Sequence, residues 1–332
     1  MTSGKKATIA STLTSARMSG FYVEHPGMHT LIEDAGRIGQ ARLGLTTGGP
    51  ADRMAFYWAN RLVENSRGCA ALEITYGGVK LHSNCKSSIA VTGAAVEIKI
   101  NNRVVGNWQS HAVEKGDLIE IGFSQNGIRA YMAIKGGIQI APQFGSCSTV
   151  TREKIGGLNG SVLEKGDWLP VYEQPCTHTN ALPQEAIPHY ATSLTLRMIC
   201  GYQYRQFSDT QRQRFFSGEY QVSSQWDRMG YRLQGPAIKF PEPSLLSEGI
   251  AFGAVQIPAD GQPIVLLNDR QTIGGYPKMG SVFSLDAYLL GQCQQGTKVR
   301  FEPISIETAH NELHLAQSRF KQISFIKKAV NT

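Results

Sequence analysis

The sequence predicts a turn-rich, mainly β architecture in two domains, and three observations carry that expectation. Glycine occurs 35 times, while apolar residues at helical spacing are confined to a few short stretches. Between residues 70 and 175, short apolar runs alternate with glycine turns, the pattern of a barrel or a sandwich. A chain of 332 residues also exceeds what one ordinary core organises, so two domains are expected, each able to bury its own core.

Taken in order, residues 1–19 are rich in Ser, Thr and Lys, with no acidic residue and no apolar signal core. They read as a disordered tail or as the product of an upstream start codon. FYVEHPG from Phe21 reads as a strand and a Pro-Gly turn, and a second strand starts near Met28 and breaks at Asp34–Arg37. After a loop, a helix is expected from about Pro50 to Glu64. Pro50 suits a first turn, Asp52 favours the positive helix start, Met54, Trp58 and Leu62 repeat at i+4, and Asn65–Gly68 stops it. The runs ALEITYG, VKLH, SIAVTG, VEIKI, RVV, LIEIGF and RAYMAI read as short strands. The phrase EKGD, at Glu114–Asp117 and Glu164–Asp167, twice introduces an apolar strand, as recurrent turn chemistry would. Residues 20–175 thus form an N-terminal β domain.

Residues 174–192 carry three prolines and little apolar periodicity, so 176–192 is expected to be the interdomain linker. A second β domain runs from 193 to 306, with a polar helical piece near Asp209–Phe216. Residues 307–332 form a C-terminal helix and tail, amphipathic from Ile306 to Lys328 and basic towards its end. Within the second domain, Ala251–Ile257 and Pro263–Leu267 flank PADG and predict a tight hairpin. The polar run Asn268–Thr272 and the turn Gly274–Pro277 follow. They read either as a binding-site wall or as a polar cap on a sheet.

A formal charge of +7 suits anionic ligands, but Lys and Arg are scattered and do not interleave with aromatics, so nucleic acid is not an expected partner. The six cysteines form no CxxC pair and none lies at metal-ligand spacing from His, which predicts reduced thiols and no metal site. No apolar run reaches the roughly 18 residues of a membrane span, so a soluble, cytoplasmic chain is expected. The phosphate loop, the dinucleotide fingerprint, the GxSxG elbow and HExxH are all absent.

What remains is a set of Asp–Arg phrases beside glycines: Asp34–Arg37, Asp52–Arg53, Asp227–Arg232 and Asp269–Gln271. The guanidinium fork matches carboxylate or phosphate, and a neighbouring Asp can orient it, so these phrases point either to an anionic site or to local ion pairs that fix loops. If Arg228–Arg232 is extended, both guanidinia share one strand face. Cys147 in GSCST reads either as a nucleophile without a visible base or as a packed thiol.

The phrases EDAGR (33–37), GGPADRMAF (48–56), ANRLVEN (59–65), ALEITYGG (71–78), GSCST (145–149), DRMGYRL (227–233) and GAVQIPADGQPIVLLNDRQTIGGYP (253–277) occur in this order. Through them the chain resembles the allophanate hydrolase subunit 2 family, also called the biotin-dependent carboxyltransferase-like family, which includes the C subunits of 5-oxoprolinases. The resemblance implies two cyclophilin-like β-barrel domains. It also implies work beside 5-oxoprolinase subunits B and A (allophanate hydrolase subunit 1-like and LamB/YcsF-like proteins) in the ATP-dependent opening of 5-oxoproline to L-glutamate. ATP would then sit at a subunit interface. The alternatives within the family are carboxyl transfer from biotin to urea or a related amide, and non-catalytic regulation of a partner that resembles the B subunit. The residues it implies are Asp34, Arg37, Arg228 and Asp269 for catalysis, and Asp52, Arg53, Arg232, Gln256, Arg270, Gln271, Gly275 and Tyr276 for binding the amide substrate. The chain departs from the family pattern at Glu33, usually Gln, and at Cys147, commonly basic or small.

Overall fold

The computed structural model describes residues 19–241 and 245–329, and the expected tail over 1–18 lies outside the described residues. Ser19, assigned to that tail, instead opens the first strand, Ser19–Pro26, which is held on both sides by Val79–Ser83 and Trp168–Val171.

The mainly β expectation holds. The first unit is a nine-stranded sheet and the second a closed seven-stranded barrel. SIAVTG and VEIKI prove to be one strand, Ser87–Ile100, and LIEIGF and RAYMAI another, Leu118–Ile134. These two pair antiparallel along their lengths, with register shifts between Gly93 and Ile98. The shifts bend the pair, so the first half of Leu118–Ile134 takes Val79–Ser83 as a further partner and its second half takes Ala71–Thr75. Leu72, Ile74, Val91, Ile98, Ile121 and Met132 pack inside. Both EKGD phrases form the same turn, in which the Asp117 and Asp167 carboxylates each accept the Glu backbone N–H three residues earlier at 2.8 Å.

Helix α1 spans Arg53–Leu62, shorter than expected at both ends. Asp52 is its extended N-cap, accepting Ala55 N–H, and Glu64 at φ 62° ends it. In the barrel, Ser193–Cys200 pairs in parallel with Lys298–Pro303 to close the circle, around a core that includes Leu196, Val222, Val255 and Phe301. Ala254–Gln256 and Ile264–Leu266 form the expected hairpin, with Gly261 at φ 77°. Helix α2 (Asp209–Ser217) is capped by Ser208, and helix α3 (Ser284–Leu290) follows the strand Lys278–Val282.

The segment 176–192 is packed rather than free. His178–Ala181 is a strand paired with Ile326–Ala329, the Asn180 amide donates to Leu62 O at 2.9 Å, and Leu182 joins the core around α1. Helix α4 (Ile306–Gln322) ends six residues before Lys328, because the chain turns there to form the strand Ile326–Ala329. Arg61 secures that turn, stacking on Trp58, Phe320 and Phe325 and donating to Ile323 O at 2.7 Å. No described helix is long and apolar enough to cross a membrane, and the described residues hold no cluster of three metal-ligating side chains.

Gly93 sits at the bend with φ 83°, where a Cβ would meet Arg129 O at 2.4 Å. Gly93→Ala is expected to cost about 3 kcal/mol, read as a lowered urea midpoint with unchanged slope.

Candidate active site

Strand register decides which side chains leave the first core. Leu72 and Ile74 point into it, so Ala71, Glu73 and Thr75 point the other way, opposite Tyr131 and Arg129 of the partner strand. That outer face meets the barrel, so the charges at Glu73 and Arg129 are fully buried between the two units. From the barrel side, Asp227 accepts the N–H groups of Met229 and Gly230, and this tight turn carries Arg228 across the junction.

Arg228 joins both units. It grips Asp269 through two bonds of 2.9 and 3.0 Å, donates to Glu73, and reaches Gly49 O at 2.7 Å. Glu33 Oε1 lies 3.3 Å from its Nη2, while Glu33 Oε2 accepts Gly49 N–H at 3.0 Å. Glu73 also accepts from Ala51 N–H and the Tyr131 hydroxyl, each at 2.8 Å. Arg129 lies 3.6 Å from Glu73 and donates to the Tyr231 hydroxyl of the barrel at 2.8 Å. Gln292 donates to Asp52 at 3.0 Å and to Arg129 O at 2.9 Å, tying the α1 cap to the same junction.

Three buried carboxylates, Glu33, Glu73 and Asp269, therefore share two guanidinia, Arg129 and Arg228. One negative charge is left over, and Glu33 is the carboxyl whose ionised form the junction disfavours. Burial pushes its pKa well above the usual range against the pull of Arg228, and the neighbouring Glu73 adds to the rise. Burial also opposes ionisation of Glu73, yet Arg228 and Arg129 together hold it below the usual range.

Above this network lies a cleft of about 460 Å³ shared by both units. Met28, Tyr76, Trp226 and Met229 form its apolar walls, Arg129, Arg228 and Asp269 its floor, and His29 and Arg152 reach it from the first unit. Tyr76 meets Trp226 edge-on at 6.0 Å. Burial depresses the His29 pKa, with Arg228 and Arg129 adding to the fall against Glu73, so its imidazole is neutral near pH 7. Arg152 is exposed at the rim, 3.0 Å from the Thr46 hydroxyl and 3.3 Å from Glu153.

Of the residues expected at a site, Arg228 and Asp269 line this cleft. Asp34 is engaged elsewhere: its carboxylate accepts from Gly36 N–H, both the Ser146 and Ser148 hydroxyls and Cys147 N–H. Arg37 is buried and donates to the carbonyls of Gln143, Ser146 and Ser148. Gly48 and Gly49 lie between that cluster and Asn268, whose amide bridges to Gly48 O and Pro50 O. Asn268, the first residue of the polar run, therefore meets the Gly48–Pro50 loop, while Asp269 meets Arg228. Asp52 caps α1 and accepts the Tyr190 hydroxyl at 2.8 Å, and Arg53 lies over the Tyr288 ring away from the cleft. Arg232 pairs with Asp260 across the hairpin, and the turn at Asp227–Gly230 separates it from Arg228, so the two do not share a strand face. Arg270 donates to Ile250 O and Leu267 O, Gln256 is buried in its strand, and Gln271, Gly275 and Tyr276 lie outside the cleft. Burial and the adjacent Asp34 carboxylate push the Cys147 thiol up to about 11, which disfavours the thiolate, and its Sγ donates to Ile140 O at 3.3 Å.

A two-unit β protein with a buried Arg–carboxylate junction under an interdomain cleft has counterparts among known proteins. The chain belongs to the carboxyltransferase domain family, subdomains A and B, whose model matches residues 43–303. It is 35% identical to the 5-oxoprolinase C subunit of Escherichia coli (strain K12) over 300 residues, covering 90% of this chain and 96% of that one. The 5-oxoprolinase C subunit of Haemophilus influenzae is 32% identical, with 87% and 94% covered. The crystal structure of the K. lactis urea amidolyase superposes with a TM-score of 0.84 at 28% identity, over 92% of this chain but only 20% of that one.

Removing the shared cation leaves three buried carboxylates opposed by Arg129 alone. Arg228→Met is expected to lower stability by roughly 3–5 kcal/mol in urea unfolding at pH 7. Glu33→Gln is expected to stay within about 1 kcal/mol of the parent at pH 7. Because the folded-state pKa of Glu33 is raised, its proton stabilises the fold most below the ordinary carboxyl range, and this contribution falls as pH rises towards the folded value. The Gln variant should flatten that fall, and an unchanged pH slope would remove Glu33 as its source.

Proposed function

We propose that this chain is the C subunit of a 5-oxoprolinase and acts with B and A partner subunits to convert 5-oxoproline to L-glutamate at the expense of ATP. The observation that carries this reading is the similarity to the E. coli protein over almost the full length of both chains. In the reaction, water adds OH to the ring carbonyl carbon and a proton to nitrogen as the amide C–N bond breaks.

The cleft suits such a substrate. Its apolar walls accept the flat ring, and Arg152 at the rim is placed for the carboxylate. Charge developing on the amide oxygen would face the buried guanidinia of the floor, where exclusion of water strengthens the attraction. Neutral His29 is the group able to move a proton. A triphosphate brings several full negative charges to a floor whose two guanidinia already face Glu73 and Asp269, a far larger demand than the partial charge of one amide oxygen. We therefore assign ATP to an interface at which a partner supplies most of the phosphate contacts.

The second reading, carboxyl transfer from biotin to urea or a related amide, is supported by the urea amidolyase of Saccharomyces cerevisiae, 31% identical over 86% of this chain. Only 17% of that protein is matched, so the biotin-bearing parts would come from other chains. In the third, the chain regulates a partner resembling the B subunit, without turnover.

Mixing this chain with subunits A and B should give ATP-dependent glutamate from 5-oxoproline, and none when this chain is omitted. In that mixture His29→Ala should lower kcat by about a hundredfold or more, and Arg152→Ala should mainly raise KM. Full complexes that form no glutamate would sink the proposal. Carboxylation of urea on addition of a biotinylated carrier would favour the second reading instead.

A further inference from the structure

A second pocket, of about 290 Å³, opens where α1, α3 and α4 meet, on the far side of α1 from the junction. Its walls follow helical spacing: Arg53 and Tyr57 on α1, Leu285 and Tyr288 on α3, and Leu313, Gln317 and Phe320 on α4. Three aromatic rings and two guanidinia, Arg53 and Arg67, line it, and it has no carboxylate in its lining.

Unlike Arg129 and Arg228 under the junction cleft, neither Arg53 nor Arg67 forms an ion pair among the described residues. Both stack on rings instead. Arg53 lies 5.6 Å from the Tyr288 centroid, and Arg67 lies 4.5 Å from Phe320 and 5.5 Å from Tyr57. Stacking fixes a guanidinium plane and leaves its N–H edge free to donate. The Nε of Arg53 is buried and has no hydrogen-bond partner, a deficit that a bound acceptor would remove. The buried rings of Tyr288 and Phe320 offer flat apolar surface beside those donors.

We propose that this pocket is a second ligand site, separate from the junction cleft, for a planar aromatic anion of one or two fused rings. The ring lies among Tyr57, Tyr288 and Phe320, and the anionic group meets Arg53 and Arg67. A nucleoside monophosphate and an aromatic carboxylate share this chemistry, and the pocket is too small for a whole nucleoside triphosphate.

Titration calorimetry on the full chain, with AMP and indole-3-acetate as probes and adenosine and indole-3-acetamide as neutral controls, tests the assignment. At least one anion should bind, about tenfold or more tighter than its neutral control, and which one binds identifies the source. Arg67→Ala, at an exposed position expected to leave the fold intact, should weaken that binding by about tenfold. Gln317→Trp, on the exposed side of α4, should block the mouth and abolish it. Failure of both anions to bind at millimolar concentration overturns the proposal, as does binding that neither variant weakens or that the neutral controls match.

Discussion

The bond set around Arg228 is the constraint on which the arrangement of the two units rests. A lone guanidinium moved out of water costs several kcal/mol, so a buried one persists only where acceptors surround it. Arg228 takes acceptors from its own barrel, at Asp269, and from the first unit, at Glu73 of the sheet and Gly49 O of the loop before α1. Burial would lower its pKa, but Asp269, Glu33 and Glu73 hold it well above its ordinary value, so it remains charged. Separating the units would strand charge on both sides. The same geometry roofs the network with the cleft, so one interaction sets both the relative placement of the units and the polarity of the floor.

Glu33 completes the charge balance of the junction. With Arg129 and Arg228 matched to Glu73 and Asp269, a third carboxylate would carry uncompensated charge in a dry junction. When protonated, Glu33 has the shape and neutrality of the Gln that the resemblance implies at this position, and the raised pKa favours that form. Cys147 offers no such chemistry, and its neighbours hold it as a packed thiol.

Local chemistry was legible wherever a short phrase determines its own geometry. Asp52 marked the start of α1, the EKGD phrases marked two equivalent turns, and PADG marked the hairpin. Long-range pairing was not legible. Nothing within SIAVTG or VEIKI announces that both belong to one bulged strand, since that continuity depends on Leu118–Ile134 alongside. The packed state of 176–192 likewise depends on Ile326–Ala329 and α1, more than a hundred residues away in sequence. In the site, Arg228 and Asp269 stood out as charges beside glycine, whereas Glu73 and Arg129 were hidden. A charge every second residue of an apolar strand normally faces water, and only the docking of the barrel buries these two. Their signal was the number of polar side chains on one face of strands whose other face is apolar. Asp34 and Arg37 were conspicuous for a different reason, because they hold the loop that carries Ser146 and Ser148.

The cleft over the Arg228 junction is proposed to receive the amide substrate within an assembled complex, and this is the claim on which the functional reading turns. The most direct measurement is photolabelling of the reconstituted complex with a diazirine-bearing 5-oxoproline analogue, followed by peptide mapping in the presence and absence of excess 5-oxoproline. Protectable labels are expected on this chain at Met28–His29, Thr75–Tyr76, Thr151–Arg152 or Trp226–Met229. Protectable labels confined to partner chains, or to parts of this chain remote from the cleft, would contradict it.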